Sequence, residues 1–320
     1  MTAVTEFILL GFQVSQNIRI LMFSLLIVIY WFTMFMNLLI ITLVSTSKIL
    51  HTPMYFFISQ LSISDIFLST DIVPNILHIL LYNRGAITFF GCMIQFYFFA
   101  VSEGSECLLL AVMSYDRYVA ICNPLRYSSI MTSAYCVILS TISWLMAFNT
   151  SLFLIIPIFK LNFCGQNIID HVFCDFLPLL KLSCSDTYHV QLEESLLSIP
   201  MILLPITVII FSYTKIIVTI LRIPSSTGRQ KAFSTCSSHL IVVSIFYGTL
   251  FGVYIVPTRG KSSTTSKSLS LLYTVFTPLI NPIIYSLKNK DIKNTLYGHI
   301  YKHLRCPNYT RREGSKILGN

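Results

Sequence analysis

The chain has 320 residues, of which 54% are hydrophobic and only 11% charged, with a mean hydropathy of +0.73. Soluble domains carry about 25% charged residues, so this chain lacks the charge to coat a water-facing surface and its apolar surface must face lipid. The formal net charge of +9 does not indicate nucleic-acid binding, which needs a basic face on a soluble module, and no stretch reads as one.

In chain order, residues 1–19 read as an N-terminal segment, extracellular on the topology argued below. Met1 to Phe12 has neither a basic n-region nor a small-residue cleavage site, so no cleaved signal peptide is expected and the first span serves as its own insertion signal. A helix needs about 20 mostly apolar residues to cross the hydrocarbon core. Runs that qualify fall at about 20–45, 54–81, 91–122, 133–159, 193–221, 232–257 and 268–287, leaving 288–320 as a tail that opens with a short amphipathic helix. Runs of this length, without period-2 segments, exclude a transmembrane barrel. No repeat or low-complexity segment interrupts them. The expected fold class is all-α: a seven-transmembrane helix bundle.

An odd number of spans puts the termini on opposite sides. With the N-terminus outside, fifteen Lys and Arg fall on the cytoplasmic side and seven outside. The positive-inside bias thus predicts a cytoplasmic C-terminus, and the basic tail is expected to lie against anionic lipid.

Four of the nine cysteines, Cys92, Cys164, Cys174 and Cys184, are extracellular on this topology. An even number in an oxidising space suggests two disulfides, with three pairings open. Cys107, Cys122, Cys136 and Cys236 read as small packing residues within or near the helices. Cys306, among basic and aromatic residues after the last span, has the setting of a palmitoylation site. No Cys/His spacing suggests a metal centre.

Ionisable groups inside spans usually mark function or pairing. In the third span, Phe99, Glu103, Glu106, Leu110, Met113 and Arg117 recur at three- and four-residue steps and share one stripe. Charges on such a stripe must face the bundle interior. Asp116 can neutralise Arg117 locally. Asp65 and Glu106 lie at comparable depth; either one is protonated or a cation sits between them.

These residues carry a resemblance. The chain resembles the odorant receptors, a branch of the rhodopsin-like G-protein-coupled receptors, from Thr5 to about Lys293. The matching stretches begin with Thr5–Phe12, Leu50–Phe57, and Leu61-Ser62 with Asp65. Met113–Cys122, Ser212-Tyr213, Lys231–His239 and Pro278–Leu287 follow. One short motif would be weak, but seven in order are specific.

The resemblance implies Cys92–Cys174 and Cys164–Cys184 bridges. It implies that Asp116, Arg117 and Tyr118 open toward a G protein, with Tyr213, His239 and Tyr285 as switch residues. Asn281 and Pro282 then mark a helix interrupted by proline, which frees a backbone carbonyl and permits a hinge. Asp65 and Glu106 match the family's internal cation site, implying a bound sodium ion and no other cofactor. The family's ligand pocket maps onto Phe99, Ala100, Glu103, Gly104, Leu197, Ser198, Met201, Leu250, Phe251, Tyr254, Leu271 and Thr274. Mostly apolar walls with a few orienting polar groups suit a small volatile ligand. The implied partners are an odorant, membrane lipid and a heterotrimeric G protein of the stimulatory, olfactory type that raises cyclic AMP, at the cell membrane. Glu103, one turn outward of Glu106, is expected to favour a ligand with a hydrogen-bond donor or an amine.

Some features depart from the family. Residues 1–17 lack its usual glycosylation sequon, and the sequons at Asn149 and Asn308 fall in a span and in the tail. Met36 precedes Asn37 where glycine is favoured, and Ser114 replaces a commoner alanine. Other readings fit less well. A transporter or channel would be expected to repeat its buried charges, and an enzyme would need a nucleophile–base pair or metal cluster at a rim. A retinal-binding photoreceptor needs a lysine within the seventh span, which Lys267 and Lys288 are expected only to bracket. An amine-type receptor would carry aspartate where Phe99 stands. A receptor for another small ligand, outside the nose, is the nearest alternative.

Overall fold

The computed structural model describes residues 4–164, 167–252 and 263–305. Among these, six helical stretches are long and apolar enough to cross a membrane. They are α1 (Gln16–Thr46), α2 (Pro53–Tyr82), α3 (Phe89–Cys122), α5 (Ser133–Ile158), α7 (Tyr188–Leu221) and residues 264–288. The last comprises α9 (Ser263–Leu271), a π-helical turn at Leu272–Phe276 and α10 (Thr277–Lys288). The seventh member of the bundle is α8 (Ser226–Leu250), whose apolar part is Cys236–Leu250. The rest of that expected span runs beyond Gly252, outside the described residues. Two short helices, α4 (Tyr127–Ile130) and α6 (Phe176–Leu180), lie in connections, and α11 (Lys290–Arg305) follows α10 directly.

Helices dominate because lipid offers no partner for backbone N–H and C=O groups. Their surfaces invert the soluble pattern. On α1, Val28 and Trp31 are each 66% exposed and Phe35 61%, while Asn37 is fully buried. Side chains cap several starts: Thr88 Oγ1 accepts from Gly91 N at 3.1 Å for α3, and Thr132 Oγ1 from Tyr135 N at 3.3 Å for α5.

The interior is layered. One apolar cluster, including Phe7, Phe96, Phe99, Val172 and Phe173, fills the end near the Cys92–Cys174 bridge. A second, including Leu50, Phe57, Leu61, Tyr213, Phe246 and Tyr285, fills the end near Arg117. Between them runs a polar band, in which Ser64 Oγ on α2 lies 3.0 Å from the Ser102 carbonyl and 2.8 Å from Ser105 Oγ on α3. Near Arg117, Tyr55 Oη lies 2.8 Å from Asn289 Oδ1 and 2.9 Å from Asp291 Oδ2, joining the start of α2 to the start of α11.

The disulfide end carries a feature absent from the sequence reading. Strand β1 (Glu6–Leu9) pairs antiparallel with β2 (Gly85–Thr88) and parallel with β3 (Ile168–Ile169), giving the order β2-β1-β3. The N-terminal segment is thereby stitched to two loops. Phe7 and Leu9 point inward with no exposure while Glu6 faces out, a period-2 alternation too short to stand out.

Candidate functional site

On α3, the stripe assembles as its spacing requires. Phe99, Glu106, Leu110, Met113 and Arg117 are buried, and Glu103 is partly accessible. Phe99 sits between two elements, its ring centroid 5.2 Å from Phe173 in the loop before α6 and 5.9 Å from Tyr273 in the π-helical turn. One turn inward, the Glu103 carboxylate takes no hydrogen bond among the described residues, although the charges of Glu106 and Asp175 act on it. A buried polar group without a hydrogen-bond partner is costly to hold on an interior stripe.

Deeper, the polar band closes on Asn281. Its Nδ2 donates to Asp65 Oδ1 at 3.1 Å and to Glu106 Oε1 at 3.0 Å, with Asp65 Oδ2 at 3.3 Å. One amide thus bridges the two carboxylates singled out in the sequence. Asn281 Oδ1 is buried without a hydrogen-bond partner. The two carboxylates offer oxygen donors that suit a hard cation such as sodium, and a half-turn of the Asn281 amide would present its oxygen to them in place of its nitrogen.

At the far end of α3, Arg117 pairs with its neighbour Asp116: Nε donates at 3.0 Å and Nη2 makes a shorter contact. The other carboxylate oxygen, Asp116 Oδ1, accepts from Tyr127 Oη of α4 at 2.8 Å. Burial and the Asp116 charge both raise the Tyr127 phenol above its ordinary range, so it remains a donor. Between α7 and α8, Tyr213 Oη and His239 Nδ1 are 2.7 Å apart, with their rings stacked. Tyr285 is buried and its hydroxyl has no partner among the described residues.

Above Phe99, the loop carrying β3 forms a lid. Both disulfides are present, Cys92–Cys174 and Cys164–Cys184, with Cα separations of 5.5 and 5.9 Å. Gln95 on α3 fixes the lid to the bundle, accepting from Cys174 N at 3.0 Å and donating to the Asp71 carbonyl at 3.1 Å. His171 is buried, its Nδ1 3.2 Å from the Phe173 carbonyl and its Nε2 3.3 Å from Ser270 Oγ. Burial pushes this imidazole below its ordinary value, against the pull of Asp175, while burial raises the Asp175 carboxyl, against the pull of His171.

One expectation is corrected here. Lys267 was placed outside the last span, yet α9 begins at Ser263 and carries Lys267 within it, 3% exposed. Its ammonium donates to Asp170 Oδ1 at 2.5 Å and to the Gly11 carbonyl at 2.7 Å. These two contacts tie the N-terminus, the lid and α9 together. Gly11 is required for that contact: its φ is +62°, and a Cβ there would meet Ile79 Cγ2 at 2.3 Å.

Comparison with known proteins accounts for this arrangement. The olfactory receptor family profile matches residues 26–303. The chain belongs to the olfactory receptor family. Mouse (Mus musculus) olfactory receptor 5P60 is 46% identical over 303 residues, covering 95% of this chain and 94% of that one. Human (Homo sapiens) olfactory receptor 10A7 is 46% identical over 295 residues, covering 92% and 93%. The crystal structure of squid rhodopsin shares the fold at a TM-score of 0.67 and 17% identity, covering 97% of this chain and 94% of that one. This olfactory receptor is therefore a multi-pass plasma-membrane protein of the seven-helix, rhodopsin-like class, and not an enzyme.

The receptor brings only part of the sequence-derived pocket into view. Phe99, Leu250 and Thr274 are buried; Ala100, Glu103, Gly104, Leu197, Ser198, Met201 and Leu271 are half-buried. Phe251 is 56% exposed. Tyr254 and Cys306 lie outside the described residues. Gly104 is the junction of three helices: a Cβ there would sit 3.4 Å from both Ala147 Cβ on α5 and Met201 Cε on α7. Sequence reasoning missed Tyr127, Asn281's bridging amide, His171 and Lys267, because each meets its partner only through the packing of separate elements.

Proposed function

We propose that the receptor binds small, mostly apolar odorants in the half of the bundle nearest the disulfides and signals through a heterotrimeric G protein at the Arg117 end. The disulfide end faces outward and the Arg117 end the cytoplasm, as the basic-residue bias requires. The ligand space lies beside Phe99, Ala100, Glu103 and Gly104, facing α7 residues Leu197, Ser198 and Met201 and α9 residue Leu271, with Thr274 in the π-helical turn. The observation that carries this reading is Glu103: a carboxylate on the inward stripe, among apolar walls, with no hydrogen-bond partner among the described residues. Such a group orients a ligand that offers a hydrogen-bond donor or an amine.

Signalling follows as a population shift. An odorant bound more tightly in one helix arrangement than another moves the equilibrium by that differential affinity. The closed arrangement is favoured by Asp116, which holds Arg117 while Tyr127 holds Asp116, and by the Tyr213–His239 contact. Opening frees Arg117 for a G protein of the stimulatory, olfactory type that raises cyclic AMP. Asp65 and Glu106 would hold a sodium ion, which supplies the positive charge that two buried carboxylates need.

A panel of chemically diverse odorants, applied to cells with a cyclic AMP reporter, tests the function. Glu103→Gln should weaken responses to amines and hydrogen-bond donors more than to hydrocarbons. Unchanged potency across the panel would remove Glu103 from the ligand site.

A further inference from the structure

A groove of about 560 Å³ opens on the lipid-facing side between α3, α5 and α7. It is large enough for a small molecule, since ligand sites span about 300–1,000 Å³. Along α7 it runs from Leu196 to Val208, about 18 Å at 1.5 Å per residue. Pro200 and Pro205 lie in this stretch of α7, and proline kinks a helix by removing a hydrogen bond. The walls are almost wholly apolar, and Ile142, Met146 and Leu204 are 48%, 45% and 64% exposed. Tyr115 and Tyr135 stand at the end nearer Arg117.

Two observations connect this groove to the interior. Its α7 wall includes Leu197 and Met201, which also belong to the odorant site proposed above. At that point α3 contributes Gly104, which has no side chain, and the space beside it is bounded by the terminal methyl of Met201 and by the small side chain of Ala147, each 3.4 Å from where a Cβ would sit. Methionine is unbranched and flexible, so a change of rotamer opens a path where a branched side chain would hold it shut. Meanwhile, the described outer loops form a packed cap. Val172, Phe173, Cys174 and Leu179 have no exposure, and the cap is cross-linked to α3 by Cys92–Cys174.

We propose that the groove between α3, α5 and α7 is a lipid-facing binding site for small apolar ligands, from which they pass Met201 and Gly104 into the interior. The inference rests on the odorant-site reading for its destination, but not for the groove itself. The occupant is a small apolar molecule dissolved in the bilayer. Such a ligand concentrates in lipid by the same transfer free energy that buries apolar side chains, about 0.8 kcal/mol per CH₂. It therefore meets the groove from the membrane, without crossing the cap.

The test uses the full-length receptor in lipid nanodiscs and a diazirine-bearing octanol as photoprobe, with labelled peptides located by mass spectrometry. The expected result is labelling of the Ile142–Thr150 and Leu196–Val208 segments that excess octanol competes away, while the lipid-facing surface of α1 labels without competition. Met146→Trp, which fills the groove from its exposed wall, should abolish groove labelling and slow labelling of Phe99–Gly104 severalfold. Leu204→Trp, from the opposite wall, provides the same test if the first variant fails to fold. Groove labelling that octanol does not compete, as on α1, overturns the site. An unchanged rate of Phe99–Gly104 labelling in a filled-groove variant overturns the path. Failure of the odorant-site reading shows separately: Phe99–Gly104 would then take no competable label in the unsubstituted receptor, whatever the groove does.

Discussion

Asn37 on α1 donates a 3.1 Å hydrogen bond to the backbone carbonyl of Pro278 on α10. That carbonyl is the one Pro282 leaves without its helical partner, because proline has no N–H to offer four residues on. The same Asn37 amide also reaches its own helix at the Thr33 carbonyl, 3.1 Å away. The proline break in the last span is thus satisfied from the first, and α1 is pinned where α10 is weakest. Asn37→Leu should lower stability by about 1–3 kcal/mol, the cost of an unsatisfied buried acceptor. Thermal inactivation of the receptor in nanodiscs measures it, and an unchanged midpoint would show that the carbonyl finds another partner.

The bridge from Asn281 to Asp65 and Glu106 predicts a cation effect. Replacing sodium by a bulky organic cation should lower the thermal midpoint of the unsubstituted receptor. Asp65→Asn removes one carboxylate and should abolish that sodium dependence while leaving a folded protein. A midpoint insensitive to sodium in both proteins would mean that a proton, rather than a metal ion, neutralises the pair.

Tyr127 holds Asp116 from α4, outside the spans. Tyr127→Phe deletes one hydrogen bond to a charged acceptor and keeps the ring. The Asp116–Arg117 pair should then be released more readily, by about 1–2 kcal/mol or roughly 5–30-fold in population. Ligand-independent signalling, normalised to surface expression, should rise. A basal signal equal to that of the unsubstituted receptor would show that Tyr127 does not hold the closed state.

His171 makes the lid sensitive to acid. Its folded-state value is depressed, mainly by burial, so the unfolded state binds more protons as the pH falls. The stabilisation is fully present above the ordinary imidazole value of about 6.5 and is lost as pH falls below it. Lys267 opposes protonation; Asp170 and Asp175 favour it. The protection factors of amides across residues 167–176, which allow for the slower intrinsic exchange in acid, should fall on acidification through that range, and His171→Gln should flatten the dependence. Equal pH profiles in the two proteins would place the sensitivity elsewhere.

The contrast between α1 and the N-terminal strand shows how much was legible in the sequence. Gln16–Thr46 announces a membrane helix through unbroken apolar length, a property of consecutive residues that no tertiary contact can reverse. Phe7 and Leu9 alternate over only four strand residues, and their pairing depends on two loops far along the chain. The α3 stripe was also legible, because helical spacing alone fixes that Phe99, Glu106 and Arg117 share a face. Lys267 was not legible, since a lysine at a helix end reads as solvent-facing until a carboxylate and a carbonyl are brought to it.

Composition and periodicity by themselves determined that this chain threads a bilayer and turns its few polar groups inward, because lipid leaves such groups no other direction. Only the tertiary structure decided what each of them meets: Asn281 between two carboxylates, Tyr127 on Asp116, Asn37 on a carbonyl freed by proline, Glu103 without a hydrogen-bond partner among the described residues. Those pairings join residues up to 241 positions apart, and hydrogen bonds act over a few ångströms, so their identity is set by helix packing and not by any local pattern.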